Sequence, residues 1–232
     1  MGRNCSVVGF IGIDKFEYIM YLSRVIYHLG KKILMVDCSD TGALTASVPF
    51  PKEVKNSVIE YRGIMFLDGR NTENKDPYGR KVANLQNLMK DYECILIDYG
   101  YNTDMDGLKT CDRIVCVTDQ QLHNIRRVSG IGNLKEVRKC LIIKDYVNCN
   151  VTPKYIVSEL KIDNLAAGQT YIVYQDETDA KCRINCQYDG VFRFHKLSIQ
   201  AKNVVKGLLK DLLPEVTKKE LDKAYKKAEK GE

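Results

Sequence analysis

The sequence predicts an α/β fold, a doubly wound and mainly parallel sheet with helices on both faces. Three observations lead there. Short β-branched apolar runs alternate with helical patterns, several runs are apolar almost throughout, and the first runs through glycines and a lysine directly into a helical segment. A strand that is apolar on both sides needs cover on both faces, and a parallel sheet held between layers of helices supplies it.

The elements follow in order. "CSVVGF" is the first strand candidate, with "KKILMVD", "GIMFLDG", "CILIDYG", "RIVCVTD", "CLIIKDYV" and "TYIVY" after it. Helical segments are expected at 15–29, 81–91, 120–139, 151–160 and 197–213, the longer ones with apolar residues three and four apart. The stretch 70–80, "RNTENKDPYGR", is polar with proline and glycine and reads as a surface loop. The elements assign 1–213 to one domain and leave 214–232 as a charged C-terminal helix or tail. In such a sheet ligands bind beyond the carboxyl ends of the strands, so the turn after the first strand, Asp37 and Asp98 are expected to share one crevice.

Composition bounds the function. The chain has 232 residues, 44% hydrophobic and 28% charged, enough for one good core. It has no apolar run of about 18 residues and no secretory leader, so the cytosol is the expected compartment. Most of the nine cysteines lie within apolar runs, as at Cys94, Cys111, Cys116 and Cys140, and they read as reduced core thiols. Cys182 and Cys186 form the closest pair, with no second pair to complete a metal site. His28, His123 and His195 lack ligand spacing. "MGRNCS" matches the loose myristoylation pattern, but Cys5 already belongs to the first strand and leaves little free arm. The net charge is +6, from 36 basic and 30 acidic residues, and part of the excess lies in "KKELDKAYKKAEKGE", read as a solvated segment.

The chemistry is focused in "VVGFIGIDKFEY", residues 7–18. Strand, glycines at Gly9 and Gly12, Lys15 and then a helix is the order of a phosphate-binding loop. Around the lysine the residue types are wrong for it. Asp14 stands where such a loop has glycine, and Phe16 where it has a magnesium-holding hydroxyl.

Gly30 lies fifteen positions after Lys15, within "LGKKILMVD", and "DYECILIDYG" and "RIVCVTD" follow in turn. This layout resembles the MinD/ParA family of deviant Walker A ATPases, including the CpaE/TadZ branch that positions pili. "GIMFLDGRN" is similar to the family's middle strand and loop and "HKLSIQAKNVVKGLLKDLL" to its terminal helix, so the resemblance spans most of 5–213. It implies a P-loop NTPase fold and places Gly9, Gly12 and Lys15 on the phosphate loop, Asp37 and Asp98 on the aspartates that hold the metal's water shell, and Asn148 nearest to the base-recognising asparagine. The same comparison exposes the departures. Phe10 replaces the signature lysine, Ile11 and Asp14 replace glycines, Phe16 and Glu17 replace two threonines, Ser39 replaces the attacking-water aspartate, and Lys144 or Asp145 stands where the asparagine belongs.

The resemblance therefore implies a catalytically degenerate homologue that acts as a localisation or assembly factor for a pilus or secretion system, with ATP or ADP bound weakly or not at all. Its partners are expected to be proteins, with a homodimer open. Nucleic acid and peripheral membrane association are the weaker expectations: the stripe Val204, Val205, Leu208, Leu209, Leu212 and Leu213 reads as sheet packing rather than a membrane face. Tyr99 and Tyr101 are expected on an exposed switch loop as a contact surface. The alternative is a working ATP-binding switch whose hydrolysis is slow or needs a partner, and a third is a DNA-binding partition protein.

Overall fold

The computed structural model describes residues 6–49, 58–69, 90–102, 106–134, 136–162 and 165–231. The chain begins with β1 (Ser6–Gly12), α1 (Phe16–His28), β2 (Ile33–Asp37) and the single turn α2 (Ala43–Ala46). A hairpin follows, β3 (Val58–Tyr61) and β4 (Ile64–Asp68), then β5 (Cys94–Asp98), the turn α3 (Asp106–Lys109) and β6 (Arg113–Thr118). The second half runs α4 (Leu122–Val128), β7 (Arg138–Tyr146), α5 (Pro153–Leu160), β8 (Leu165–Tyr174), α6 (Glu177–Asp189), α7 (Ile199–Leu212) and α8 (Lys218–Lys230).

The described strands form one eight-stranded sheet in the order β3-β4-β2-β5-β1-β6-β7-β8, parallel except where β3 meets β4. Alternate residues of each central strand feed two cores. Val8, Phe10, Leu96, Val115 and Ile142 point to the side of α1, α7 and α8, whereas Val7, Ile11, Ile97, Cys116 and Leu141 point to the side of α4 and α5. The doubly wound architecture expected from the apolar runs is therefore the one observed.

Four local differences from the sequence reading have physical causes. β3 was not expected; Arg62 at φ 51° and Gly63 at φ 78° close a two-residue turn whose twist suits a hairpin. The helix expected over 120–139 stops at Val128, because "SGIGN" puts two glycines in the next turn, which tightens into a 3-10 helix over Ser129–Asn133. α6 has weak apolar periodicity and is fixed by its ends: the Asp176 side chain accepts from the Thr178 and Asp179 amides, and Gly190 closes the helix in the left-handed region. The charged tail is a packed helix. Thr217 and Glu220 form a reciprocal capping box, and Leu221, Ala224, Tyr225 and Ala228 are buried. The Tyr21 hydroxyl donates to Glu229 at 2.9 Å, and the Tyr225 ring meets Tyr21 edge-on at 6.2 Å. The expected loop at 70–80, the first part of the helix at 81–91 and Cys5 lie outside the described residues.

Among the described cysteines, Cys149 is exposed and Cys38 half-buried, while Cys94, Cys111, Cys116, Cys140, Cys182 and Cys186 are buried. Burial pushes the thiols of Cys116, Cys140 and Cys186 up to about 12. Of the described cysteines, a thiol reagent applied to the native chain is therefore expected to modify Cys149 first and the buried six only on the timescale of opening. Mass mapping over time checks this; early modification of Cys116 or Cys140 would contradict it.

Candidate functional site

β1 does not stop where a phosphate loop would begin. Phe10 and Ile11 are fully buried on opposite faces of the sheet, so the strand runs on through them to Gly12. Gly9 is therefore a mid-strand residue, paired with Ile97 and Ile114, rather than a loop glycine. A Cβ there would meet Cys111 at 3.0 Å and Tyr99 at 3.1 Å, so the glycine makes room for packing. Phe16 turns into the core, with its ring edge-on to Phe192 at 6.3 Å, and opens α1 immediately. Only Ile13, Asp14 and Lys15 remain to connect strand and helix.

The start of this connection is tied into the sheet. A phosphate cradle points backbone N–H groups at an anion. Here the Gly12 amide donates to the Gly100 carbonyl at 2.7 Å and the Ile13 amide to the Val117 carbonyl at 3.0 Å. Gly12 is fixed at φ 114°, where a Cβ would lie 1.8 Å from the Val117 carbonyl oxygen. Two ammonium groups take the loop carbonyls instead. Lys15 Nζ donates to the Gly12 carbonyl at 3.0 Å and pairs with Asp98 Oδ1 at 2.8 Å. Lys144 Nζ donates to the Asp14 carbonyl at 2.6 Å and to Glu17 Oε1 at 2.5 Å.

Lys15, Asp37 and Asp98 do meet at the carboxyl ends of β1, β2 and β5, as the sheet order requires. Each is already occupied within the chain. Lys15 is 3% exposed and Asp98 1%. Burial raises the Asp98 carboxyl above its ordinary value; Lys15 opposes that rise and Asp37 adds to it. Asp37 accepts four hydrogen bonds, from the amide and hydroxyl of Ser39 and from the amide and hydroxyl of Thr45, at 2.6–3.0 Å. It anchors the turn into α2. Ser39 is buried and also receives the Gly42 amide, so it is part of the same brace.

Asn148 is exposed in the turn after β7, a segment held by Gln120, which accepts from the Val147 amide and donates to the Val151 carbonyl, each at 2.8 Å. The residue that reaches the crevice from β7 is Lys144, 1% exposed. Arg183 of α6 lies over it, pairing with Asp145 at 3.2 Å and standing 3.8 Å from Glu17. The Glu17, Lys144 and Arg183 cluster escaped the sequence reading of the site. Its signal was the charged "KD" breaking the apolar run "CLIIKDYV".

Tyr99 and Tyr101 differ from the expected exposed pair. Tyr99 is 4% exposed in the core beside Cys111, and Arg127 stacks on the half-buried Tyr101 ring at 3.5 Å. Burial raises the Tyr101 hydroxyl, Arg127 opposes the rise, and Asp14, Asp119 and Asp40 add to it. The surroundings of Tyr101 thus carry carboxylates together with Arg127.

The strand order and the helices on both faces define a doubly wound, mainly parallel α/β fold. No protein-family model and no curated protein matches the sequence. Solved structures match along nearly the whole chain. The ParA family ATPase from Chlorobium tepidum is 17% identical over 89% of this chain and 98% of its own, with a TM-score of 0.65. A chain of the MinC:MinD cell division protein complex of Aquifex aeolicus is 15% identical over 92% of this chain and 97% of its own, with a TM-score of 0.63. The putative plasmid partition protein of Borrelia burgdorferi bound to AMPPNP is 13% identical over 91% and 100%, with a TM-score of 0.62. At these identities the likeness establishes the fold. Among the described residues no helix is long and apolar enough to cross a membrane.

Proposed function

We propose that this chain is a catalytically degenerate MinD/ParA-like ATPase homologue of the CpaE/TadZ-like type, acting in the cytoplasm as an interaction factor that localises or assembles a pilus or secretion system. One observation carries the reading: Lys15 Nζ is spent on Gly12 O and Asp98 Oδ1, and the Gly12 and Ile13 amides on neighbouring strands. A triphosphate would find no loop hydroxyl for its metal, a lysine already paired within the chain and the Asp14 carboxylate beside it. These residues do not fit the nucleotide, and no catalytic step is assigned to them. Without a nucleotide to switch it, the folded surface serves protein partners and leaves a homodimer open.

The second reading, an ATP-binding switch with slow or partner-dependent hydrolysis, draws on Lys15, Asp37 and Asp98 standing at the ends of adjoining strands. Phosphate release separates the two. Turnover is expected at background and unchanged in Lys15→Ala, because hydroxyl, signature lysine and water-positioning aspartate are all replaced. Robust, magnesium-dependent turnover by the parent chain would establish the switch.

A further inference from the structure

α8 turns one face inward and a different kind of face outward. With about 100° between successive residues, buried Leu221, Ala224, Tyr225 and Ala228 fall on one side, and exposed Lys219, Lys223, Lys226 and Lys230 share an arc of about 60° on the other. They run along roughly 16 Å of helix at 1.5 Å per residue. None of the four makes an ion pair among the described residues.

Two of the carboxylates of α8, Glu220 and Glu229, are engaged elsewhere. Glu220 accepts from the Thr217 amide and hydroxyl, and Glu229 from the Tyr21 hydroxyl, with Lys202 of α7 3.3 Å away. Asp222 remains at the rim, beside Tyr225. Like charges at i, i+4, i+7 and i+11 repel, so the pattern weakens the isolated helix and gives the fold nothing. It is a surface arranged for an external partner.

We propose that this lysine ridge docks an acidic, carboxylate-rich segment of a partner protein. The ridge has no arginine to fork onto phosphate and no exposed aromatic for a base to stack on, which disfavours nucleic acid. All the large apolar side chains of α8 are buried, which leaves nothing to insert into a bilayer. The ridge is one helix wide with carboxylates at its rim, which matches a single acidic helix or strand better than a broad anionic surface. The inference stands whether or not the crevice binds nucleotide.

The probe is a fluorescent helical peptide with glutamates at i, i+4, i+7 and i+11, titrated with the full chain by anisotropy. The comparison is K219Q/K223Q/K226Q/K230Q against K32Q/K154Q/K161Q/K181Q, which removes the same charge from exposed sites elsewhere. Both variants should keep the parent's circular dichroism and melting temperature. The ridge variant is expected to weaken peptide binding at least tenfold and the scattered variant less than threefold, with parental affinity falling as salt rises. Equal loss in both variants, or no peptide binding by the parent, would overturn the proposal. So would a duplex DNA of equal charge, or phosphatidylglycerol vesicles, binding more tightly than the peptide in a ridge-dependent way.

Discussion

Lys15→Ala is expected to destabilise the fold by about 3–5 kcal/mol, the cost of leaving one partner of a buried ion pair alone. In a working phosphate loop the lysine faces ligand, and losing it costs activity first. Here the ammonium is 2.8 Å from Asp98 Oδ1, and both side chains are almost wholly buried. The loss should lower the melting temperature by roughly 2–4 °C per kcal/mol. Lys15→Met with Asp98→Asn should recover most of it, because neither group is then charged.

The deficit is also expected to depend on pH. Asp98 already has a raised pKa, from burial first, so the native state binds its proton more readily than the unfolded chain. Removing Lys15 removes the largest influence opposing that rise. In the variant, stability should therefore fall as pH rises from the unfolded carboxyl value through the raised native one, and the deficit should shrink in mild acid. Urea denaturation of parent, single and double variants across pH checks both points; a Lys15→Ala midpoint equal to the parent's would contradict the buried pair.

Much of the sheet was legible because its strands are covered on both faces and so read as continuous apolar runs; "ILMVD" and "CILID" are buried at every position. α1 and α7 were legible for the complementary reason, an apolar stripe facing the sheet. What escaped was specified by less periodic chemistry. β3 depends on the Arg62-Gly63 turn, α6 on its caps, and the end of α4 on glycines that compete with a plausible helical pattern.

The crevice was legible as a place and not as an arrangement. Sheet order alone brings Lys15, Asp37 and Asp98 together. Nothing local in the sequence says that the strand read as ending at Phe10 will run on through Ile11 to Gly12, or that Thr45, eight residues on, will saturate Asp37. The long-range partners decide the chemistry: Lys144 lies 127 residues from Glu17, and a pairing over that separation cannot be read from spacing.

Calorimetric titration of ATP, with magnesium and again with EDTA, tests the central claim most directly. Phe16 supplies no oxygen to a metal, Lys15 must first leave Asp98, and the Asp14 carboxylate opposes a nearby phosphate by about 1–4 kcal/mol between the dielectrics of bulk water and a protein surface. Binding is therefore expected to be no tighter than high micromolar and nearly indifferent to magnesium. Submicromolar affinity that collapses in EDTA would show an intact nucleotide and metal site, and would contradict the account.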